Sequence, residues 1–323
     1  MKTIEKYKLI QDKYNNTKSY RIIDMASAPV KRGPGRPSRK PEVPPVERKG
    51  VVSDPEDDDN DIELVYDSPQ AFKALFTYLK SLKTRKILLA FHREEVVIYA
   101  KDHTETSTTI VKIDGEKMNM YYCADLFYIE MSRDVVDKMF MNADKTFHKI
   151  SITRSDSDPD ALSFVFEDMI LSKESCYRIE VAARDHLPEE FAMAEEITET
   201  TDKFPLEFTL TVKQFEKTIT DTISQSPEIE IIKSDGEPLE LFFTKAGITY
   251  REVYRDDDKI ELTCRLEEGY NFRSQLRLMN IKALVGSMVT DRVRICCGEE
   301  GLLMFRLIIK EEAIIVSSLT EAF

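Results

Sequence analysis

The side chains of this 323-residue chain with the clearest chemical purpose are lysines and arginines, and the chemistry that suits them is contact with phosphates. Asp and Glu occupy 59 positions, so a long window without them needs a reason. Ser68–Arg93 is one such window and carries Lys73, Lys80, Lys83, Arg85, Lys86 and Arg93. Gly269–Thr290 is another, with Arg273, Arg277 and Lys282. Lys73, Lys80 and Lys83 recur at i, i+7 and i+10, beside an apolar stripe of Phe72, Leu75, Phe76, Leu79 and Leu82. Two more helical stretches mix bases with acids: Arg133 and Lys138 beside Asp134 and Asp137, and Lys213 and Lys217 beside Glu216 and Asp221. A lysine stripe opposite an apolar one is ordinarily a solvated face. Two acid-free helices in so acidic a body argue for a surface aimed at a nucleic-acid backbone, a contact that positions without reading sequence. No aromatic-rich basic patch accompanies them, so stacking on single strands is not indicated.

Other chemistries find few residues to carry them. The chain contains no P-loop, GxGxxG, HExxH or GxSxG motif. Asp256, Asp257 and Asp258 are adjacent in a turn-like stretch, where three carboxylates point different ways and stay solvated. The 5 cysteines (Cys123, Cys176, Cys264, Cys296, Cys297) have no CxxC spacing, and the 4 histidines (His92, His103, His148, His186) lie far apart. The expectation is a reduced, non-secreted intracellular protein that is not an enzyme and has no catalytic residue, metal or cofactor. No run of apolar residues is long enough for a membrane span.

The formal charge of −13 conceals an asymmetry. Residues 1–52 hold 13 Lys and Arg against 5 Asp and Glu, a net of +8, which leaves 33 against 54, or −21, in the remainder. A basic arm on an acidic body follows. Within residues 1–60 the stretch Ala26–Pro55 is rich in Pro, Lys and Arg and ends in the acidic run Asp54–Asp61, so the arm is expected to lack a packed fold. Its segment Lys31–Lys40, with Lys31, Arg32, Arg36, Arg39 and Lys40 around a Gly-Arg-Pro core, resembles an AT-hook, in which an extended strand seats Arg in the narrow A·T minor groove. Pro34-Gly35 after Arg32-Gly33 shifts the usual register, and a flexible basic tail or nuclear-localisation patch is the alternative reading.

The elements that must hold these bases recur in a fixed order. A strand at Ile62–Tyr66 leads into a helix from Ser68, with Pro69 in its first turn, and then strands at Lys86–Phe91, Glu95–Ala100 and Ser107–Ile113. A second unit follows: strand Met120–Glu130, helix Ser132–Met141, and strands His148–Thr153, Leu162–Glu167 and Cys176–Ala182. The second half repeats the order with strand Leu206–Thr211, a helix with Val212, Phe215, Ile219 and Ile223 on one face, and strands Ile229–Ser234, Leu239–Lys245, Thr249–Tyr254 and Ile260–Glu267. Strand Asn271–Leu278, helix Asn280–Val289 and strands Val293–Cys297, Leu302–Ile309 and Ala313–Leu319 complete it. Four strand–helix–strand–strand–strand units thus predict an α+β fold of two similar domains, residues 61–182 and 204–323. Between them, residues 183–203 read as an exposed acidic linker offering Leu187, Phe191, Met193 and Ile197 to a partner.

The repeat, the helices and the acidic linker together resemble the PCNA family. The stretch Phe72-Lys73-Ala74-Leu75 through Leu79-Lys80-Ser81-Leu82 looks like that family's first helix, and Gln275-Leu276-Arg277-Leu278 into Lys282 is similar to the basic approach to its fourth. The likeness covers about Asp61–Phe323 and rests on pattern more than identity. Gly33-Pro34-Gly35-Arg36-Pro37, Pro45-Val46-Glu47-Arg48-Lys49-Gly50, and Met288-Val289-Thr290-Asp291 with Val293-Arg294-Ile295 are similar to the PCNA-like proteins of African swine fever virus and related large DNA viruses. The linker departs from cellular PCNA in lacking its Leu- and Ile-rich pattern.

The resemblance implies a DNA sliding clamp, the processivity fold closed as a homotrimeric ring with helices inside and sheets outside. Such a clamp would encircle double-stranded DNA and tether DNA polymerase and other replication and repair enzymes, with a separate clamp loader. It would work at viral replication sites in the host cell, a cytoplasmic factory or the nucleus. DNA would face Lys73, Lys80, Lys83, Arg133, Lys138, Lys213, Lys217, Arg273, Arg277 and Lys282. The joining strands would be His148–Thr153 or Cys176–Ala182 on one side and the Val253–Arg265 region on the other. A monomeric DNA-binding processivity factor and an AT-hook DNA-binding or packaging protein are the alternatives.

Overall fold

The computed structural model describes residues 22–24, 60–142, 147–200, 204–255, 260–266, 271–278, 282, 290–298, 302–309 and 314–321. In chain order the first strands are β1 (Ile22–Asp24) and β2 (Asn60–Tyr66), followed by helix α1 (Pro69–Ser81). β3 (Lys86–Phe91), β4 (Glu95–Lys101) and β5 (Ser107–Asp114) form a meander, and β6 (Met120–Cys123) and β7 (Phe127–Ser132) lead to α2 (Arg133–Asn142). Next come β8 (Lys149–Ser155), β9 (Ala161–Asp168), β10 (Lys173–Glu180), the short β11 (Ala182–Arg184) and α3 (Glu189–Glu199). β12 (Leu206–Thr211) then runs into α4 (Val212–Ile223), and β13 (Glu228–Ser234), β14 (Leu239–Lys245) and β15 (Ile248–Tyr254) form a second meander. The remaining strands are β16 (Glu261–Cys264), β17 (Asn271–Arg277), β18 (Arg292–Cys297), β19 (Leu302–Ile309) and β20 (Ile314–Glu321). The expected helix Asn280–Val289 lies outside the described residues except Lys282, which is helical.

Among the described residues every strand pairing is antiparallel, and three sheets result. Their orders are β1-β10-β9-β8-β2-β6, β11-β7-β3-β4-β5-β20-β19-β18-β12-β16 and β15-β14-β13-β17. The repeat seen in the sequence is written into these orders. The run β6-β2-β8-β9-β10 has its counterpart in β16-β12-β18-β19-β20, and β7-β3-β4-β5 has its counterpart in β17-β13-β14-β15. The ten-stranded sheet joins one run of each kind at a seam between β5 and β20, in register from Ile113↔Ile314 to Ser107↔Thr320.

Two expected strands prove to be broken because the chain changes sheets within them. Met120–Glu130 is β6 in one sheet and β7 in another. The chain turns out at Ala124, whose N–H donates to the Asp61 carbonyl at 2.9 Å, while the Cys123 thiol donates to the Asp125 carbonyl at 2.8 Å. Cys176–Ala182 starts earlier, at Lys173, and breaks at Val181, whose N–H donates to the Asp160 carbonyl at 2.9 Å before β11 joins β7. Alternation of apolar residues is blind to such switches, since both pieces keep a period of two.

Alternation does fix the two faces of the large sheet. Leu89, Ile98, Val111 and Phe305 point to one side, where the apolar stripes of α1, α2 and α4 join them in one core. Leu88, Tyr99, Ile110 and Met304 point to the other, where α3 lies. Two carboxylates tie strands near the ends of this sheet. Glu130 on β7 accepts from Lys86 on β3 at 2.5 Å and from Arg184 on β11. Glu207 on β12 accepts from Arg265, just past β16, at 2.5 Å and from Arg294 on β18. Burial alone would raise both carboxyls, but these hydrogen bonds outweigh it and hold each below the usual range.

A depressed carboxyl stabilises the fold fully above its unfolded value, near 4.3 for Glu, and the contribution disappears as pH falls through the folded value. The melting midpoint should therefore drop as pH falls from about 5 to about 3. Glu130→Gln with Glu207→Gln should flatten that slope while lowering the midpoint at neutral pH. A melting series across the range reads both effects; an unaltered slope in the double variant would assign the acid sensitivity to other carboxyls.

Candidate nucleic-acid interface

Helix α1 begins at Pro69, which needs no hydrogen-bond partner in the first turn, and buries Phe72, Leu75, Phe76, Tyr78 and Leu79. The Tyr78 hydroxyl shares a 3.0 Å hydrogen bond with Thr109 of β5, and burial pushes the phenol up to about 12. That anchors one face, so Lys73 and Lys80 fall on the other, with Lys73 half-buried and Lys80 exposed. The helix ends at Ser81 with Leu82 as its C-cap, and Lys83 just beyond has a φ of 54°, in the left-handed region usually left to glycine. A lysine there costs about 1 kcal/mol of backbone strain but puts a cation at the negative end of the helix dipole.

Helix α2 lies beside α1. Phe140 stacks on Phe76 at 4.5 Å and on Phe72 at 6.4 Å, and Lys80 reaches Asp137 across the pair at 2.8 Å. Arg133 donates through Nε to its neighbour Asp134 at 3.1 Å, and this bond holds that carboxyl below its usual range. Lys138 is exposed. Helix α4 is capped by Thr211, whose hydroxyl accepts from the Gln214 N–H at 3.3 Å. It buries Val212, Phe215 and Ile219, with Phe215 stacked on Phe305 of β19 at 6.2 Å, which leaves Lys213 and Lys217 exposed.

These three helices put their apolar stripes into one core, so their bases share one side of the ten-stranded sheet. The structure thus gathers Lys73, Lys80, Lys83, Arg133, Lys138, Lys213 and Lys217 on the helix side. Lys80 and Arg133 are also engaged by neighbouring carboxylates.

Arg273 does not join them. It sits on β17, facing away from buried Phe272, Ser274 and Leu276, and donates through Nε to Glu230 of β13 at 3.0 Å. The acid-free window mixed a strand with a helix, and the strand's alternation sends Arg273 outward. Arg277 ends β17, and Lys282 is exposed. Lys31, Arg32, Arg36, Arg39 and Lys40 lie outside the described residues.

The linker holds what the sequence reading missed. Rather than an exposed strap, residues 189–199 form α3, packed on the face of the sheet opposite α1, α2 and α4. Leu187, Phe191, Ala194 and Ile197 recur at helical spacing and press on Tyr99, Ile110, Phe204 and Leu319. Of the four residues expected to offer themselves to a partner, Leu187, Phe191 and Ile197 face this cluster, while Met193 is 55% exposed. The acids that suggested a solvated linker also fasten it down. Glu195 accepts from the Tyr99 hydroxyl at 2.8 Å and from Lys112 at 2.9 Å, Glu190 accepts from Lys101 at 2.9 Å, and Glu199 accepts from Lys112 at 2.7 Å. Burial works to lower Lys112, yet the bonds to Glu199 and Glu195 raise it above the usual lysine value.

Among the described residues no three His, Cys, Asp or Glu side chains are grouped to hold a metal ion. Burial pushes the Cys123 and Cys296 thiols up to about 12, which makes both poor nucleophiles at neutral pH.

This arrangement, two strand-rich repeats sharing a sheet with α1, α2 and α4 on one side, is the α+β clamp fold of PCNA. The crystal structure of Proliferating Cellular Nuclear Antigen from Entamoeba histolytica superposes with a TM-score of 0.63 over 82% of this chain and 99% of that one, at 14% identity. Sequence comparison narrows the kinship. An uncharacterized protein of African swine fever virus, from a Kenyan pig isolate, is 36% identical over 297 residues, 91% of this chain and 98% of its own length. Its counterpart from a Namibian warthog isolate of the same virus is 37% identical over 283 residues, 87% of this chain and 94% of its own. The chain belongs to the family of these African swine fever virus proteins. No family model matches it.

Proposed function

We propose that this protein is a DNA sliding clamp: a homotrimeric ring that encircles duplex DNA and serves as a processivity factor for DNA polymerase and other replication and repair enzymes. The observation that carries the reading is the β5·β20 seam. In the repeat, β15 is the counterpart of β5 and β10 is the counterpart of β20. The pairing made within the chain therefore has an unmade twin, for which β15 of one copy and β10 of the next are the matching edges. β15 pairs only with β14 among the described residues, so one of its edges is open. Beside β10, the turn from β9 exposes Met169, Ile170 and Leu171 at 67%, 78% and 65%, an apolar tip suited to a neighbouring copy. His148–Thr153 is unsuitable, because β8 is flanked on both sides by β9 and β2.

Two repeats per chain, residues 61–182 and 204–323, would make a ring of six from three chains. The helix-side lysines would then face phosphates, held near the axis at low, slidable affinity, while the acidic remainder repels DNA from the outside. Clients would meet Met193 and the acidic face of α3, since the linker's own side chains fill the apolar ground beneath it.

Solution mass and retention on DNA test the reading together. Three chain masses, with retention on closed circular DNA that is lost on linearisation, is the expected result. One chain mass, with binding indifferent to DNA ends, would favour an open processivity factor; binding that depends wholly on residues 1–52 would favour an arm-driven DNA binder.

A further inference from the structure

Strand β1 belongs to the basic arm, yet it is docked on the folded body. Ile22, Ile23 and Asp24 pair antiparallel with Ile179, Arg178 and Tyr177 of β10. β10 is the strand whose outer edge the reading above gives to a neighbouring copy. We infer that Ile22–Asp24 is a self-docked strand that competes with the neighbouring subunit for the β10 edge, so that a closed ring forms only as the arm is released. This inference rests on the ring reading.

The extents of the two pairings decide how the competition runs. β1 covers three of the eight residues of β10. The β5·β20 seam, whose geometry the incoming strand would copy, pairs seven residues on each strand. Residue for residue the neighbour makes the larger pairing, and alone it would win. The arm's advantage is its tether: β1 is joined to β2 through residues 25–59, so its local concentration is on the order of millimolar whatever the protein concentration. A short tethered strand against a longer free one gives an exchange that dilution drives toward the cap and crowding of copies drives toward the ring. Until then the cap also blunts an edge that would otherwise recruit any exposed strand.

The test uses the full chain and Ile22→Pro with Ile23→Pro. Successive residues of a strand point their N–H groups to opposite sides, so one of these two must face β10, and proline has none to offer. Hydrogen exchange is read first, at a concentration where the chain is monomeric. Those amides of Tyr177–Ile179 that face β1 rather than β9 should exchange roughly tenfold faster in the variant, as loss of a short pairing allows, with β8 unchanged as the internal control for folding. Sedimentation velocity across a dilution series should then show the variant associating at about tenfold lower concentration than the parent.

Unchanged exchange at Tyr177–Ile179 would overturn the cap. Faster exchange with an unmoved association midpoint would overturn the competition, while leaving the ring intact. If neither chain associates at any concentration, the ring reading is lost and the competition with it, a result told apart from a missing cap by the exchange data.

Discussion

Replacing Lys73, Lys138, Lys213 and Lys217 together with Glu should abolish retention on closed circular DNA and stimulation of polymerase, while the oligomer stays assembled. All four lie on α1, α2 or α4, on the side of the ten-stranded sheet away from α3, and none is among the core residues. Each phosphate contact given up should lower the salt dependence of binding by about 0.9 in the log–log slope, so the four together should flatten it by about 3.6. Lys80 is left in place because its bond to Asp137 joins α1 to α2, and reversing it would set two carboxylates against each other. Binding isotherms across a salt series, with mass measured alongside, check the prediction. Undiminished stimulation by the intact oligomer would mean that DNA does not pass along these helices.

Phe140→Ala should have the largest effect on stability, about 3–5 kcal/mol. Phe140 is 3% exposed and sits where α1, α2 and the six-stranded sheet meet. Its ring stacks on Phe72 and Phe76 and meets Phe166 of β9 edge-on at 5.4 Å. Removing it opens a cavity walled by three rings and the large side chains around them, which have little freedom to collapse inward. Such a loss would be a third or more of a typical domain's stability. Chemical denaturation should show a lower midpoint with an unaltered slope, and DNA retention should weaken with it because the basic residues of α1 and α2 lose their fixed spacing. A loss below about 1 kcal/mol would show that the site collapses freely around the missing ring.

The contrast between these variants follows how the fold could be read. Helix faces were legible because an apolar stripe fixes what is buried and therefore what is exposed: Phe72, Leu75 and Leu79 place Lys73 and Lys80 without knowledge of the rest of the chain. Most strands were legible for the same reason, down to coincident limits for Lys86–Phe91, Leu206–Thr211 and Leu239–Lys245. The sheet switches at Ala124 and Val181 were not, because they depend on which distant carbonyl, Asp61 or Asp160, receives one N–H.

Arg273 was misplaced because an acid-free window says nothing about which face of a strand a base occupies; the burial of Phe272, Ser274 and Leu276 on the other face decides that. Helix α3 was hidden by its acids. Glu190, Glu195 and Glu199 suggested solvent, when their partners Lys101, Lys112 and Tyr99 lie almost a hundred residues earlier, on two strands of the sheet they cover. The period of Leu187, Phe191, Ala194 and Ile197 was the available signal.

The position of α3 has a mechanical consequence. Its side chains grip β4 and β5 on one side of the β5·β20 seam and reach Leu319 of β20 on the other, so it acts as a splint across that joint. In the proposed ring, the joints between copies would share the pairing but have no such splint among the described residues. The hinge and the latch would then be different seams of the same construction. The joint inside each chain would stay shut while a joint between chains parts to admit a DNA strand, and stiffness would alternate around the circle three times.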